Sequence, residues 1–150
     1  MEEKVRAVAI EDMAEEIRQL IAENKSVTVT ARGNSMNPVF RDRKDKVILS
    51  PLKGKGLKRG DVIFTVTTDG RYVIHRVVRT EGETVTLLGD GNLAITESAA
   101  AKDTIGLVTG YIRNGKEHSC GSFRWKTYSL IWMALKPVRR YILGIWRRLN

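Results

Sequence analysis

The sequence predicts a mainly β fold, an antiparallel β domain with an N-terminal helix and a C-terminal amphipathic helical tail. Three observations lead to this prediction. Apolar residues recur at helical spacing in the first 24 residues. Short β-branched runs then follow one another without a helical pattern between them, which is typical of an antiparallel sheet. Helical patterning returns in the last part of the chain, where it is rich in arginine. We divide the chain into residues 1–25, 26–115 and 116–150.

The net charge of +9 is unevenly distributed along the 150 residues. Residues 1–24 hold three basic and seven acidic side chains, whereas residues 113–150 hold nine basic side chains and one acidic side chain. A basic end of this kind indicates an anionic partner, either nucleic acid or a lipid surface. Composition alone does not choose between these two partners.

The N-terminal region predicts a helix over residues 7–24 that packs on the domain, because Ile10, Ile17 and Ile21 share one face and acidic residues fill much of the other. It contains no apolar run of signal-peptide length. The single cysteine, Cys120, excludes an internal disulfide bond. We therefore expect a cytoplasmic protein.

The middle region contains a series of strand-like runs, of which "DVIFTVT" and "YVIHRVV" are separated by the hairpin turn "TDGR". We expect the last strand near residues 105–112. The run "SAAAK" (Ser98 to Lys102) is expected to form a loop or a short helix. The other predicted strands are "VTVTAR", "KVILS" and "TVTLLG".

Ser35 lies in a segment of turn-forming residues, "ARGNSMNPVF", which includes Asn34. It is either an ordinary turn residue or a nucleophile that the turn presents. A serine hydroxyl is a weak nucleophile until a neighbouring base takes its proton. The choice between the two interpretations therefore depends on finding a base.

His75 is the candidate base, because strand alternation places it on an apolar face with Val73 and Val77. Burial there favours the neutral imidazole, which accepts a proton. The alternative is a hydrogen-bonded core histidine. The other histidine, His118, is expected in a solvated loop, and with Cys120 it provides too few ligands for a metal. We expect no metal and no cofactor.

Asp90, in "LLGDGN", follows the strand predicted to pair with that of His75. A third group is needed to hold a catalytic imidazole in the correct tautomer. Asp90 could have this role, or it could simply be a turn residue.

Five elements resemble, in order, those of the signal peptidase I and LexA-like serine peptidase superfamily: "GNSMNP", "LKRGDVIF", "YVIHRVV", "LLGDGN" and "IGLVTGYI". They cover about residues 27–113. A histidine at the base position is similar to the Ser–His branch, which includes the sporulation, archaeal and endoplasmic-reticulum signal peptidases. The resemblance implies Ser35 as the nucleophile, His75 as the general base and Asp90 as the acidic partner. The branch usually has a second acid a few residues further on, so Glu97 is the alternative to Asp90.

The resemblance also implies that Met36 and Pro38 help to bind substrate, and that the Ser35 backbone N–H contributes to the oxyanion hole. The function implied is a serine endopeptidase that cleaves a precursor or leader peptide after a small residue. The substrate would bind as an added strand beside the nucleophile segment. Two alternatives remain, a catalytically silent peptide-binding module at the membrane surface and a regulator that cleaves itself at "SAAAK".

The tail predicts an interfacial helix, kinked at Pro137, whose apolar and arginine-rich sectors are separate. Aromatic side chains would lie at the level of the lipid headgroups and arginines would meet anionic lipid. We therefore expect a peripheral position on the inner membrane face and no nucleic acid partner. The alternative is a helix packed on the β domain. The residues proposed to contact the membrane are Trp132, Tyr141, Trp146, Arg147 and Arg148.

Overall fold

The computed structural model describes residues 10–33, 35–92 and 96–149, with backbone only for residues 10–12. It contains three α-helices and one antiparallel sheet of eight strands. The helices are α1 (Ile10–Ala22), α2 (Phe123–Ala134) and α3 (Arg139–Leu149), with 3-10 turns at Ala101–Asp103 and Lys136–Val138. The strands are β1 (Val27–Thr30), β2 (Lys46–Ser50), β3 (Val62–Val66), β4 (Tyr72–Glu81), β5 (Thr84–Leu88), β6 (Glu97–Ala100), β7 (Thr104–Arg113) and β8 (Lys116–Ser119).

The sheet is curled and has the strand order β1-β2-β7-β3-β4-β5-β6, with β8 paired to β7. The long strand β7 pairs with β2 through its second half and with β3 through its first half. The predicted mainly β class is therefore confirmed. Within the described part of the chain, no helix is long and apolar enough to cross a membrane.

The two faces of the sheet bury different groups of apolar side chains. One face packs against α1 and α2, and its core includes Ile17, Phe64 and Trp125. The opposite face carries a smaller cluster that includes Ile63 and Val77. Because neighbouring residues of a strand point to opposite faces, a change of one position along β3 or β4 moves a side chain from one core to the other.

Two structural details differ from the sequence predictions, and one prediction falls partly outside the described residues. The run predicted as a loop or short helix begins as the edge strand β6, and Ala99 within it is completely buried. The sheet also extends to Ser119, because β8 continues the hairpin beyond the predicted domain boundary at residue 115. The N-terminal helix is described from Ile10, so residues 7–9 of the predicted helix lie outside the described part of the chain.

Asp45 fixes the loop that follows the Ser35 turn. Its burial by itself would raise the pKa of the carboxyl group, but hydrogen bonds from Arg113 and Arg41 outweigh that effect and lower the pKa from 3.8 to about 2. Arg113 also donates to the carbonyl of Val39 at 2.7 Å. Since the folded state lowers this pKa, the pairing stabilises the fold above about pH 3.8 and is lost as the pH falls towards 2.

Candidate active site

His75 lies in the middle of β4, directly opposite Ile63 of β3. Its side chain is only 7% exposed. Burial lowers the pKa of His75 below its ordinary value of 6.5, and the nearby Glu97 opposes this only in part. The imidazole is therefore neutral at pH 7, and a neutral imidazole is the form that can accept a proton.

Glu97 reaches His75 because of the pairing of three neighbouring strands. Leu87 of β5 is paired with Val77 of β4 on one side and with Glu97 of β6 on the other. Glu97 and His75 therefore share one face of the sheet, and Oε1 of Glu97 lies 2.9 Å from Nδ1 of His75. The contact is close, although Nδ1 does not make a regular hydrogen bond in it. Of the two acids considered from the sequence, Glu97 is the one that contacts the imidazole.

The carboxylate of Asp90 is bound by Arg76 instead. Nε and Nη2 of Arg76 each donate to a different oxygen of Asp90, both at 2.7 Å. The two side chains are each 1% exposed. Arg76 follows His75 in β4 and therefore points to the other face of the sheet, where it meets the loop after its partner Leu88. We correct the sequence prediction accordingly: Asp90 lies near His75, but it is not the group in contact with it.

Arg76 was not identified from the sequence as part of the site, although it connects the loop of Asp90 to Gly60 and to helix α2. Its Nη1 atom donates to the carbonyl of Gly60 at 3.0 Å and to Oγ of Ser129 at 2.7 Å. Its guanidinium carbon lies 5.4 Å from the centre of the Trp125 ring. The sequence did contain a signal for Arg76. Strand alternation places this arginine on the same apolar face as Ile74, and a charged side chain buried there needs an acidic partner.

Ser35 is half-buried in the turn after β1. Its carbonyl oxygen accepts the N–H of Gly91 at 2.7 Å. The same oxygen would lie 2.3 Å from a Cβ atom added at Gly89, so only glycine permits this close approach. The Ser35 turn therefore packs on the loop that carries Asp90, and Asp90 in turn is bound by Arg76, the residue that follows His75 in β4. Asn34 lies outside the described residues.

The two residues predicted to bind substrate have different positions. Met36 is 6% exposed, and its sulfur accepts the backbone N–H of Asp90 at 3.4 Å. Its side chain therefore supports the loop from inside, and its contact with substrate stays a prediction. Pro38 is half-buried after a cis peptide bond with Asn37, and its contact with substrate stays a prediction.

Helices α2 and α3 also contact the loop that carries Asp90. Trp132 of α2 donates from Nε1 to the carbonyl of Asp90 at 3.1 Å. Arg139 of α3 donates to the carbonyls of Asn92 at 3.3 Å and Trp132 at 3.0 Å. The exposed fractions of Trp132 and Arg139 are only 5% and 1%. Trp132 therefore packs on the site and cannot be a membrane contact, contrary to the sequence prediction.

A further basic residue approaches the His75 pair from the hairpin between β3 and β4. Nη2 of Arg71 lies 3.3 Å from Oε2 of Glu97. The side chain of Arg71 is 59% exposed, whereas that of Glu97 is 7% exposed. The positive charge of Arg71 is one of the smaller causes that lower the pKa of His75. Glu97 is thus placed between an internal histidine and a surface arginine.

The surroundings of His118 and Cys120 indicate structural roles for both residues. The His118 ring stacks on Tyr111 with 4.8 Å between ring centres. Burial raises the pKa of Cys120 to about 12, so its thiol is protonated at pH 7 and is a poor nucleophile.

No curated protein matches the chain. Residues 3–106 match a family described as Peptidase S24-like, and this range includes Ser35, His75 and Glu97 but not α2 or α3. The match agrees with the resemblance to LexA-like and signal peptidase-like serine peptidases. The chain belongs to the Peptidase S24-like family.

Proposed function

We propose that this protein is a serine endopeptidase in which Ser35 is the nucleophile, His75 is the general base and Glu97 orients His75. Membership of the family supports a serine peptidase-like fold. The observation that carries the proposal is the buried His75, whose lowered pKa keeps it neutral and whose Nδ1 atom lies 2.9 Å from Glu97. An orienting carboxylate at Nδ1 leaves Nε2 as the nitrogen that takes a proton.

The proposed reaction is acyl transfer in two stages. Oγ of Ser35 attacks the carbonyl carbon of the peptide while its proton moves to Nε2 of His75, and Glu97 stabilises the imidazolium that forms. The backbone N–H of Ser35 donates to the developing oxyanion. His75 then gives the proton to the leaving amine. Water, deprotonated by His75, attacks the acyl carbon, the ester bond to Oγ breaks, and His75 returns the proton to Oγ as the new carboxylate end leaves.

The proposed substrate is a precursor or leader peptide that binds as an extended chain. Strand β1 is paired with β2 on one side and leads directly into the Ser35 turn. A peptide added along this strand would present its carbonyl near Ser35 through main-chain hydrogen bonds. Cleavage after a small residue is proposed from the resemblance to signal peptidases.

The first test is covalent labelling with a fluorophosphonate, which phosphonylates an activated serine and releases fluoride. Intact mass should show one adduct on the wild-type protein and none on Ser35→Ala or His75→Ala. Ser98→Ala is the matched control, because Ser98 is an exposed serine of β6 beside Glu97. It should label like the wild type. Absence of labelling in a wild-type protein with native circular dichroism would contradict the proposed nucleophile and favour the silent peptide-binding module.

The second test is cleavage of a peptide library with small residues at varied positions. Ser35→Ala should lose cleavage and retain binding of the same peptides. Self-cleavage at "SAAAK" is not proposed, because Ser98 to Ala100 are paired with β5 and Ala99 is completely buried. Accumulation of a fragment cut in this run would contradict that conclusion.

A further inference from the structure

The exposed apolar surface of the protein is concentrated in the C-terminal helices. Every strongly exposed large apolar side chain recorded for the described residues lies between residues 123 and 149. An exposed apolar patch of this kind marks an interaction surface. Its members are Phe123, Leu130, Ile131, Val138, Tyr141, Ile145 and Leu149.

Helix α3 carries the most regular part of this patch. Tyr141, Ile145 and Leu149 follow one another at four-residue steps and therefore lie on one side of the helix. Their exposed fractions are 66%, 61% and 79%. Another side of the same helix packs inwards through Arg139 and Leu143, each 1% exposed. The outer stripe, defined as Tyr141, Ile145 and Leu149, is therefore not occupied by packing within the described chain.

The charged side chains of the C-terminal helices are all basic. Residues 123–149 contain seven basic and no acidic residues. Arg139 is buried, and the other six are exposed: Arg124, Lys126, Lys136, Arg140, Arg147 and Arg148. An anionic surface is the complementary partner for this set of charges.

We propose that the C-terminal helices bind the surface of an anionic lipid bilayer, with the outer stripe inserted among the headgroups and the exposed arginines bound to lipid phosphates. A helix with a sharp apolar stripe and basic flanks lies in the plane of the interface. Nucleic acid fits the arginines but would leave the apolar stripe in water. Trp132 is not part of this surface, because it packs on Asp90.

The docked surface would lie next to the candidate active site. The inner side of α2 and α3 holds the loop of Asp90 and Asn92 through Trp132 and Arg139. Binding of these helices to a bilayer would therefore hold the Ser35 turn near the membrane surface. The lipid-binding proposal does not depend on whether Ser35 is catalytic.

The test is sedimentation of the full chain with vesicles of phosphatidylcholine, with and without phosphatidylglycerol. The wild-type protein should bind the anionic vesicles at least about tenfold more tightly than the neutral ones. The triple variant Y141S/I145S/L149S should lose most of this binding while its circular dichroism stays native. R147Q/R148Q should weaken binding by about tenfold or more. R79Q/K102Q, which removes the same charge from exposed positions on other elements, should bind within about twofold of the wild type.

Four outcomes would overturn the proposal. Two are the failure of the wild-type protein to bind anionic vesicles and normal binding of these vesicles by the serine triple variant. Binding of a duplex nucleic acid in the same buffer, without vesicle binding, would assign the basic surface to nucleic acid. A wild-type dimer that the triple variant converts to a monomer, without vesicle binding, would assign the stripe to a second copy of the chain.

Discussion

Two acid–base pairs lie side by side in this protein and differ in how completely their polar atoms are hydrogen-bonded. His75 and Arg76 are adjacent in β4 but point to opposite faces of the sheet, where His75 meets Glu97 and Arg76 meets Asp90. All four side chains are at least nine-tenths buried. One pair nevertheless has two hydrogen bonds at 2.7 Å, and the other has a single contact at 2.9 Å without a regular hydrogen bond at Nδ1.

The difference indicates what each pair can do. Arg76 is always charged, and its remaining donors are bound by Gly60 and Ser129, so this pair is a fixed structural connection. His75 is neutral at pH 7, and protonation would convert its contact with Glu97 into an ion pair. The second pair can therefore gain and release a proton without rebuilding the fold.

The largest effect is expected when the His75 pair is changed. Glu97→Gln keeps the shape of the side chain but removes the negative charge that is proposed to orient His75 and to stabilise its imidazolium. Peptide cleavage, measured as kcat/KM, should fall by about 10³- to 10⁴-fold. The free energy of unfolding should change by less than about 1 kcal/mol.

Asp90→Asn is the matched control for the same assays. Its main effect should be on the urea midpoint, because the Arg76 guanidinium would lose a buried anionic partner. If Asp90→Asn removed cleavage with unchanged stability while Glu97→Gln did not, the assignment of the two acids would be reversed.

Arg76→Met tests the structural pair. The variant leaves the Asp90 carboxylate buried without its cation, which should lower the free energy of unfolding by about 3 to 5 kcal/mol. Arg79→Met is the matched control, since Arg79 lies on the same strand with a side chain 70% exposed. It should cost no more than about 0.5 kcal/mol. Equal losses in urea denaturation would show that burial of the Arg76 pair is irrelevant to stability.

The pH dependence of kcat/KM should reveal the lowered pKa of His75. The neutral form is the proposed base, so cleavage should be lost as the pH falls through the pKa of His75 in the folded protein. Because burial lowers that pKa below 6.5, the protein should keep more than half of its plateau kcat/KM at pH 6.5. An acid limb with its midpoint above pH 6.5 would contradict a buried, neutral His75.

Arg71→Gln should have the smallest effect. Arg71 lies 3.3 Å from Glu97 but is 59% exposed, so solvent screens its charge. Removing a positive charge should raise the pKa of His75 slightly and shift the acid limb upwards, with a change in plateau kcat/KM of less than about threefold. Arg59→Gln, at another exposed position, is the control and should leave the limb in place. An unshifted limb in Arg71→Gln would exclude an electrostatic contribution from Arg71.

Much of the fold was predictable because it depends on local patterns. Alternation identified β3 and β4, and the "TDGR" turn joined them as the structure has them. The strand β6 was missed because its four residues include two alanines and no β-branched residue, and only pairing with β5 stabilises it as a strand. Trp132 was assigned to a membrane because its segment is apolar on most sides, and such a pattern does not show which side of the helix packs inwards.

The sequence by itself determined the mainly β class, the candidate pair of Ser35 and His75, and the separation of charge between the two ends of the chain. The β class and the charge separation follow from local periodicity and residue order, and the pair of Ser35 and His75 follows from the resemblance of the motifs to the Ser–His branch. Only the tertiary structure decided that Glu97 contacts His75 and that Asp90 binds Arg76. The two acids are seven positions apart in the chain, and the choice between them depends on strand register and on which face of β4 each residue occupies.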